Sequence, residues 1–247
     1  MAAGVVALLM LIIFVPLLVL PGFRLSLAQR AGWVAGSGAA KLYEGSDPVE
    51  LVVLTESVPI LNSLPLHRYR ARYVAERSDD EVLLHDLDDR AKSLRVPMSR
   101  YDLISGSTDG SRLLFVNQAT GGAPEALLVV TASGTVDRLP PGEMTPASPG
   151  DWQTDLAMLA RIDCGGVSPR GTWTACLRHG DSSSPYLFGE WELQIAPFGR
   201  ARAERAIYRG RGADPIVGWA TDEMAIYFQN ETGLWRVPVP PVDQTAS

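Results

Sequence analysis

The chain is short of the side chains that most often do chemistry. Its 247 residues include two cysteines and three histidines, and only Lys41 and Lys92 among its 22 basic residues are lysine. Cys164 and Cys176 form no CxxC and have no adjoining Cys/His set, which excludes the usual structural zinc spacings. His67, His85 and His179 are scattered, with no HExxH or similar pairing, and read as surface or edge residues. There is no G-x-S-x-G elbow: Gly106-Ser107-Thr108-Asp109-Gly110 carries its serine one position early and within a turn. No glycine-rich loop follows a strand and opens a helix, and Gly210-Arg211-Gly212 reads as a turn. No catalytic residue, metal ligand or cofactor is therefore expected.

The net charge of -6 and a pI near 5.1 argue against a sequence-independent grip on nucleic acid. The arginine bias is what GC-rich coding produces, although a planar guanidinium also suits interfaces. Acidic residues cluster at Asp79-Asp80-Glu81 and at Asp86, Asp88 and Asp89. The glycine and final glutamate of an EF-hand loop are missing, so solvated turns are expected there rather than a calcium site.

One long hydrophobic run stands out. From Ala2 to Phe23 there is no charged side chain, and Val5 to Leu20 is almost wholly aliphatic apart from Pro16. About 20 helical residues at 1.5 Å each span a hydrocarbon core of roughly 30 Å. Residues 1–23 are expected to form a single transmembrane anchor, with Arg24, Arg30 and Trp33 at the membrane interface. A cleaved signal segment is the rival, with small residues at Ser26-Leu27-Ala28, although a positive n-region is lacking. Arg24, Arg30 and Lys41 after the span favour a cytoplasmic domain by the positive-inside rule. A cysteine pair favours an oxidising, periplasmic one. The periplasmic side is the expectation and the cytoplasmic side stays open.

Residues 24–48, with Gly32, Gly36, Gly38 and Gly45, read as a flexible tether, residues 49–240 as an extramembrane β domain and residues 241–247 as a tail. Leu51 to Leu54 is an apolar run, and Tyr69 to Glu76 alternates tyrosine or alanine with arginine, the period of a half-buried strand. Further strands are expected at Glu81–Leu87, Leu113–Asn117, Ala126–Val130, Val136–Leu139, Thr172–Leu177, Trp191–Ile195, Ala206–Tyr208, Met224–Gln229 and Leu234–Val237. A second helical stretch is expected at Asp151–Arg161. Cys164 and Cys176 flank the turn at Ser168-Pro169-Arg170-Gly171 nearly symmetrically. If that segment is a hairpin, they face each other on neighbouring strands and a disulfide is geometrically possible; two small core residues are the alternative.

Three segments share a Ser/Thr-Asp-Gly-type turn leading into an apolar strand: Gly106–Phe115, Val167–Cys176 and Trp219–Phe228. Their starts are about 61 and about 52 residues apart, a spacing that points to β repeats. These turns resemble those of TolB-like β-propeller repeats, in which Trp-Ser-Pro-Asp-Gly joins the first two strands of a blade. Here Trp219, Ser168-Pro169, Asp109-Gly110 and Asp222 supply the pattern in pieces, and Arg170 stands where the family has Asp. Leu234-Trp235-Arg236-Val237-Pro238 is similar to the family's outer strands. The resemblance covers about residues 50 to 240 and implies an all-β, propeller-like array of about four antiparallel blades, fewer than the six common in the family. Most of the tryptophans at 152, 173, 191, 219 and 235 are then blade core. The expected role is a non-catalytic, membrane-anchored scaffold or accessory subunit of a respiratory, photosynthetic or secretion complex. Its partners would be the other subunits of that complex, and the bilayer through residues 1–23. The alternative is a periplasmic propeller module that binds a ligand or peptide.

Overall fold

A computed structural model describes residues 38–61, 64–98, 100–101, 103–107, 109–117, 125–140, 152–153, 164–179, 190–200 and 204–241. The expected anchor at 1–23 and the expected interface residues Arg24, Arg30 and Trp33 lie outside these residues. The described residues are all β, and no helix among them is long and apolar enough to cross a membrane.

The strands form four antiparallel four-stranded meanders. The first is β2 (Val49–Leu61), β3 (Leu64–Arg77), β4 (Val82–Asp86) and β5 (Ser93–Val96). The second is β6 (Leu103–Ser107), β7 (Arg112–Asn117), β8 (Glu125–Val130) and β9 (Thr135–Arg138), with β10 (Trp152–Gln153) added beside β6. The third is β11 (Cys164–Val167), β12 (Trp173–His179), β13 (Glu190–Pro197) and β14 (Arg205–Arg211). The fourth is β15 (Ile216–Trp219), β16 (Ala225–Asn230) and β17 (Gly233–Pro238), completed on its outer side by β1 (Ala40–Glu44) from the other end of the chain.

Two expectations change here. Residues 40–44, inside the stretch taken as tether, are a strand hydrogen-bonded to β17, because β17 would otherwise present an unpaired edge. The stretch expected to be helical from Asp151 begins as strand: Trp152 and Gln153 pair with Ser107 and Gly106, so cross-strand bonding outweighs the helical spacing of Trp152 and Leu156. Residues 154–163 lie outside the described residues.

The β2–β3 hairpin is the centre of the molecule. Leu51 and Val53 face one core, with Trp173, Trp191, Trp219 and Phe228. Val52 and Leu54 face a second core, with Leu84, Leu113, Phe115 and Val129. Burial on both faces explains why Leu51 to Leu54 is continuously apolar instead of alternating. β3 does not keep one buried face, as simple alternation implies: Tyr69 and Ala71 join the first core, whereas Tyr73 and Ala75 join the second. A register shift between Val52 and Val53 in the β2–β3 ladder accompanies this switch.

One edge of β3 pairs with β2 along its length, and its other edge serves three partners. His67 and Arg68 pair in parallel with Gly166 and Val167 of β11, Arg70 with Trp219 of β15, and Tyr73 to Arg77 antiparallel with β4. Gln229 adds a clip from the fourth meander: its side-chain amide donates to the Val49 carbonyl at 2.7 Å and accepts from the Leu51 N–H at 2.6 Å. The third and fourth meanders meet through aromatic rings, Phe228 lying 4.6 Å from Tyr208 and 5.4 Å from Trp191 between centroids. The second meander is a separate sheet held to the first by packing, and the sheets do not close on one another among the described residues.

The convergence at β3 leaves no space for a side chain at Gly218, where a Cβ would lie 2.8 Å from the Ala71 nitrogen and 2.9 Å from its Cβ. Gly218→Ala is expected to cost about 1–3 kcal/mol through overpacking against main chain. Denaturant unfolding of the purified protein checks this through a lowered midpoint.

Cys164 and Cys176 are directly opposed in the β11–β12 register, and Cys176 is disulfide-bonded. A cross-link closing a loop of this size restricts the unfolded chain by about 3 kcal/mol. Reduction, or Cys176→Ser, is therefore expected to lower the unfolding midpoint correspondingly. An unchanged midpoint after full reduction, confirmed by thiol counting, counts against a stabilising role.

Candidate functional site

The three repeated turns join the first two strands of the second, third and fourth meanders, and they align residue for residue. Ser107, Ser168 and Ala220 open them; Gly110, Gly171 and Glu223 close them, each donating its N–H to the opening carbonyl at 2.9, 2.9 and 3.0 Å. The closing residues take left-handed φ values of 71°, 75° and 63°, where glycine is favoured. The Ser107 and Ser168 hydroxyls accept from the Arg112 and Trp173 N–H groups, both at 3.0 Å. Asp109 and Asp222 accept from the N–H two residues on, both at 2.9 Å. These are the side-chain caps that make such residues good turn formers.

Asp109 also receives the Ser107 hydroxyl at 2.6 Å and the Ser111 hydroxyl at 2.8 Å. These donors hold its carboxyl down at about 2, below the ordinary 3.8, with the Ser107 hydroxyl the largest cause. The charged form is the one the fold favours, so its contribution is complete above the unfolded value and disappears as pH falls toward 2. The carboxylate is spent on its own turn rather than held ready for a reaction.

The turns of the second and third meanders border a cleft of about 270 Å³, lined by Leu54, Glu56, Arg68, Arg70, Asp109 and Pro169. β3 sets its cationic wall. Arg68 and Arg70 are two residues apart on a strand and so project to the same side, and their backbones are fixed by pairing with Glu56 and Leu54 of β2. Arg70 donates from Nη2 to the Asp109 carbonyl at 2.9 Å. Arg68 meets the Glu56 carboxylate at 3.2 Å, and its Nε is buried with no hydrogen-bond partner among the described residues. Buried Leu54 forms the apolar floor, and Gly110 lies against it: a Cβ there would fall 2.3 Å from Leu54 Cδ1.

Farther along β3 the arginines are neutralised. Arg72 bridges Asp86 at 2.8 Å and also contacts Asp88. Asp86, only 8 % exposed, accepts the N–H groups of Asp88 and Asp89, and Asp88 accepts the Thr221 hydroxyl at 2.9 Å. Asp86 is thus the buried member of an ionic clasp between the first and fourth meanders, whereas Asp88 and Asp89 lie at the surface or half-buried, as in the solvated turn expected. Asp79, Asp80 and Glu81 remain at the surface or half-buried. His85 lies 2.7 Å from Glu76 and His179 3.5 Å from Asp214, on separate strands. Among the described residues no group of three His, Cys, Asp or Glu is placed to hold a metal ion. Trp173, Trp191 and Trp219 are core, Trp235 is half-buried, and Trp152 is in β10.

The residues that line the cleft went unnoticed in the sequence because Arg68 and Arg70 sit in an alternating strand, where charge ordinarily marks the solvent face. The useful signal was the pairing of their strand with Leu51 to Leu54, an apolar run buried throughout.

No protein-family model matches the chain, and no curated protein matches it. Among solved structures, TolB from Acinetobacter baumannii is similar at 10% identity over 79% of this chain and 64% of that one, with a TM-score of 0.29. An oligogalacturonate lyase in complex with manganese is similar at 14% identity over 68% of this chain and 46% of that one, with a TM-score of 0.21. The chain spans less than two thirds of either. Similarity at this level carries nothing about activity.

Asp109→Asn is expected to flatten the acid limb of stability: denaturant midpoints measured between about pH 4 and pH 2 should fall less steeply than in the parent protein.

Proposed function

We propose that the chain is a non-catalytic, membrane-anchored scaffold or accessory subunit that stabilises a multi-subunit membrane complex of respiratory, photosynthetic or secretion type. In this reading the four meanders are four propeller blades, and residues 1–23 are the anchor. The observation that carries it is the seam between β1 and β17. The chain arriving from the apolar N-terminal segment enters the domain as the outer strand of its last meander. An anchor connected in this way would enter the domain at the edge of its last meander, with residues 24–39 as the link. The polar turn residues support a structural role, because Ser107, Asp109, Ser168 and Asp222 are committed to main-chain caps. Disulfide-bonded Cys176 supports a periplasmic setting for the domain.

A second reading, a periplasmic module that binds a ligand or peptide, is favoured by the cleft beside Arg68 and Arg70. Crosslinking in native membranes, followed by identification of the neighbours, separates the two. The scaffold predicts reproducible crosslinks to subunits of one membrane complex and co-purification with them after gentle solubilisation. Recovery of the chain alone, without crosslinked membrane neighbours, overturns it.

A further inference from the structure

The cleft is chemically uneven in a way that specifies a ligand. Its two cations and two carboxylates, Arg68, Arg70, Glu56 and Asp109, are not paired off evenly. The Asp109 carboxylate is occupied by Ser107 and Ser111. Arg70 is held by a main-chain carbonyl, which fixes its position without cancelling its charge. Among the described residues no carboxylate lies within salt-bridge distance of it. Arg68 holds Glu56 at 3.2 Å, longer than a strong guanidinium–carboxylate bond. This pair is 35% and 56% exposed, in the range where ion pairs contribute little. Glu56 therefore acts as a weakly held internal carboxylate, already lying where an external one would bind.

We propose that this cleft is a binding site for a carboxylate-bearing ligand: Arg70 and Arg68 receive the carboxylate, Glu56 gives way to it, and Leu54 and Pro169 pack the adjoining apolar group. Three features select this class. Guanidinium groups match the planar two-oxygen geometry of a carboxylate. The local charges nearly balance, so exchanging Glu56 for one monoanion keeps that balance, whereas a phosphate dianion adds unmatched charge. The floor is aliphatic. A volume of about 270 Å³ lies just below the usual range for small-molecule pockets and suits a short acid or the terminus of a peptide. The inference goes beyond the scaffold reading and does not depend on it.

The test is ligand-observed NMR and calorimetric titration of the full-length chain, in detergent where needed. The probes are butyrate, N-acetyl-leucine, N-acetyl-leucinamide and inorganic phosphate. N-acetyl-leucine is expected to bind and its amide to fail. Butyrate binding as well identifies a small acid as sufficient; its failure beside N-acetyl-leucine binding identifies a carboxylate presented by a peptide terminus. Arg70→Gln is expected to weaken binding about tenfold or more, from loss of a charge-assisted bond. Glu56→Gln is expected to strengthen it, because the internal competitor is gone. That gain is a change that mere structural damage does not produce. Arg68→Gln, which leaves the Asp109 contact intact, provides a second loss variant should Arg70→Gln fail to fold. Equal binding of the acid and its amide, tighter binding of phosphate, no binding of either carboxylate probe, or Glu56→Gln weakening the complex overturns the proposal.

Discussion

The double use of β3 is the constraint on which the rest of the structure depends. One fourteen-residue strand carries β2 on one edge and gives its other edge in turn to β11, β15 and β4. A shorter strand has too few donors and acceptors to serve four neighbours. The arrangement also sets side-chain size. Ala71 and Ala75 are completely buried, and Gly218 lies against Ala71 because three backbones approach one another there. Large side chains return one layer out, where Trp191, Trp219, Phe115 and Phe228 fill the spaces between meanders. Each such burial contributes on the order of 2 kcal/mol or more, so small residues at the hub let the large ones around it reach the same cores.

That geometry creates an electrostatic demand along a single strand. Arg68, Arg70 and Arg72 all emerge from β3, and burial makes an unpaired charge expensive. Arg72, deepest in the ionic clasp, meets Asp86 and Asp88. Arg68, nearer solvent, has a loose partner in Glu56, and Arg70 has a carbonyl. The strand thus passes from a neutralised end, which binds the first and fourth meanders together, to an incompletely neutralised end that faces a cleft. Stability and binding capacity come from the same residue type, separated by two or four positions.

Most individual strands were legible from the sequence because two-residue alternation and apolar runs report burial directly. Leu113–Asn117, Ala126–Val130 and Leu234–Val237 were found with ends shifted by at most one residue, since each lies between turn residues. The repeated turns were legible for the same local reason: Asp109-Gly110 and Ser168-Pro169 cap backbone within a few residues of themselves. β5, β6, β11 and β15 were harder to see. They are four or five residues long, and Gly106, Gly165, Gly166 and Gly218 dilute their apolar signal. β1 was hidden because its pairing partner lies at the opposite end of the chain. The cleft was illegible for a similar reason, since it is assembled from β2, β3 and two turns that no spacing rule connects.

The unevenness of the turn repeats is itself informative. In the fourth meander Glu223 occupies the left-handed position held by glycine in the other two turns, and it is the described non-glycine residue with positive φ. That conformation costs an ordinary side chain roughly 1–2 kcal/mol. Glu223 is nevertheless buried, and its carboxylate accepts the Arg170 N–H at 2.6 Å, joining the turn of the fourth meander to that of the third. A hydrogen bond to a charged acceptor contributes roughly 1.5–3 kcal/mol, enough to offset the backbone cost. Arg170 in turn stands where the other two turns of this chain carry Asp109 and Asp222, and its main-chain N–H is the donor to Glu223. The two departures from the pattern meet at this one bond. The third turn gives up its carboxylate cap at Arg170 and gains a bond from the neighbouring meander, while the fourth turn keeps its Asp222 cap, beside the cleft that Pro169 lines.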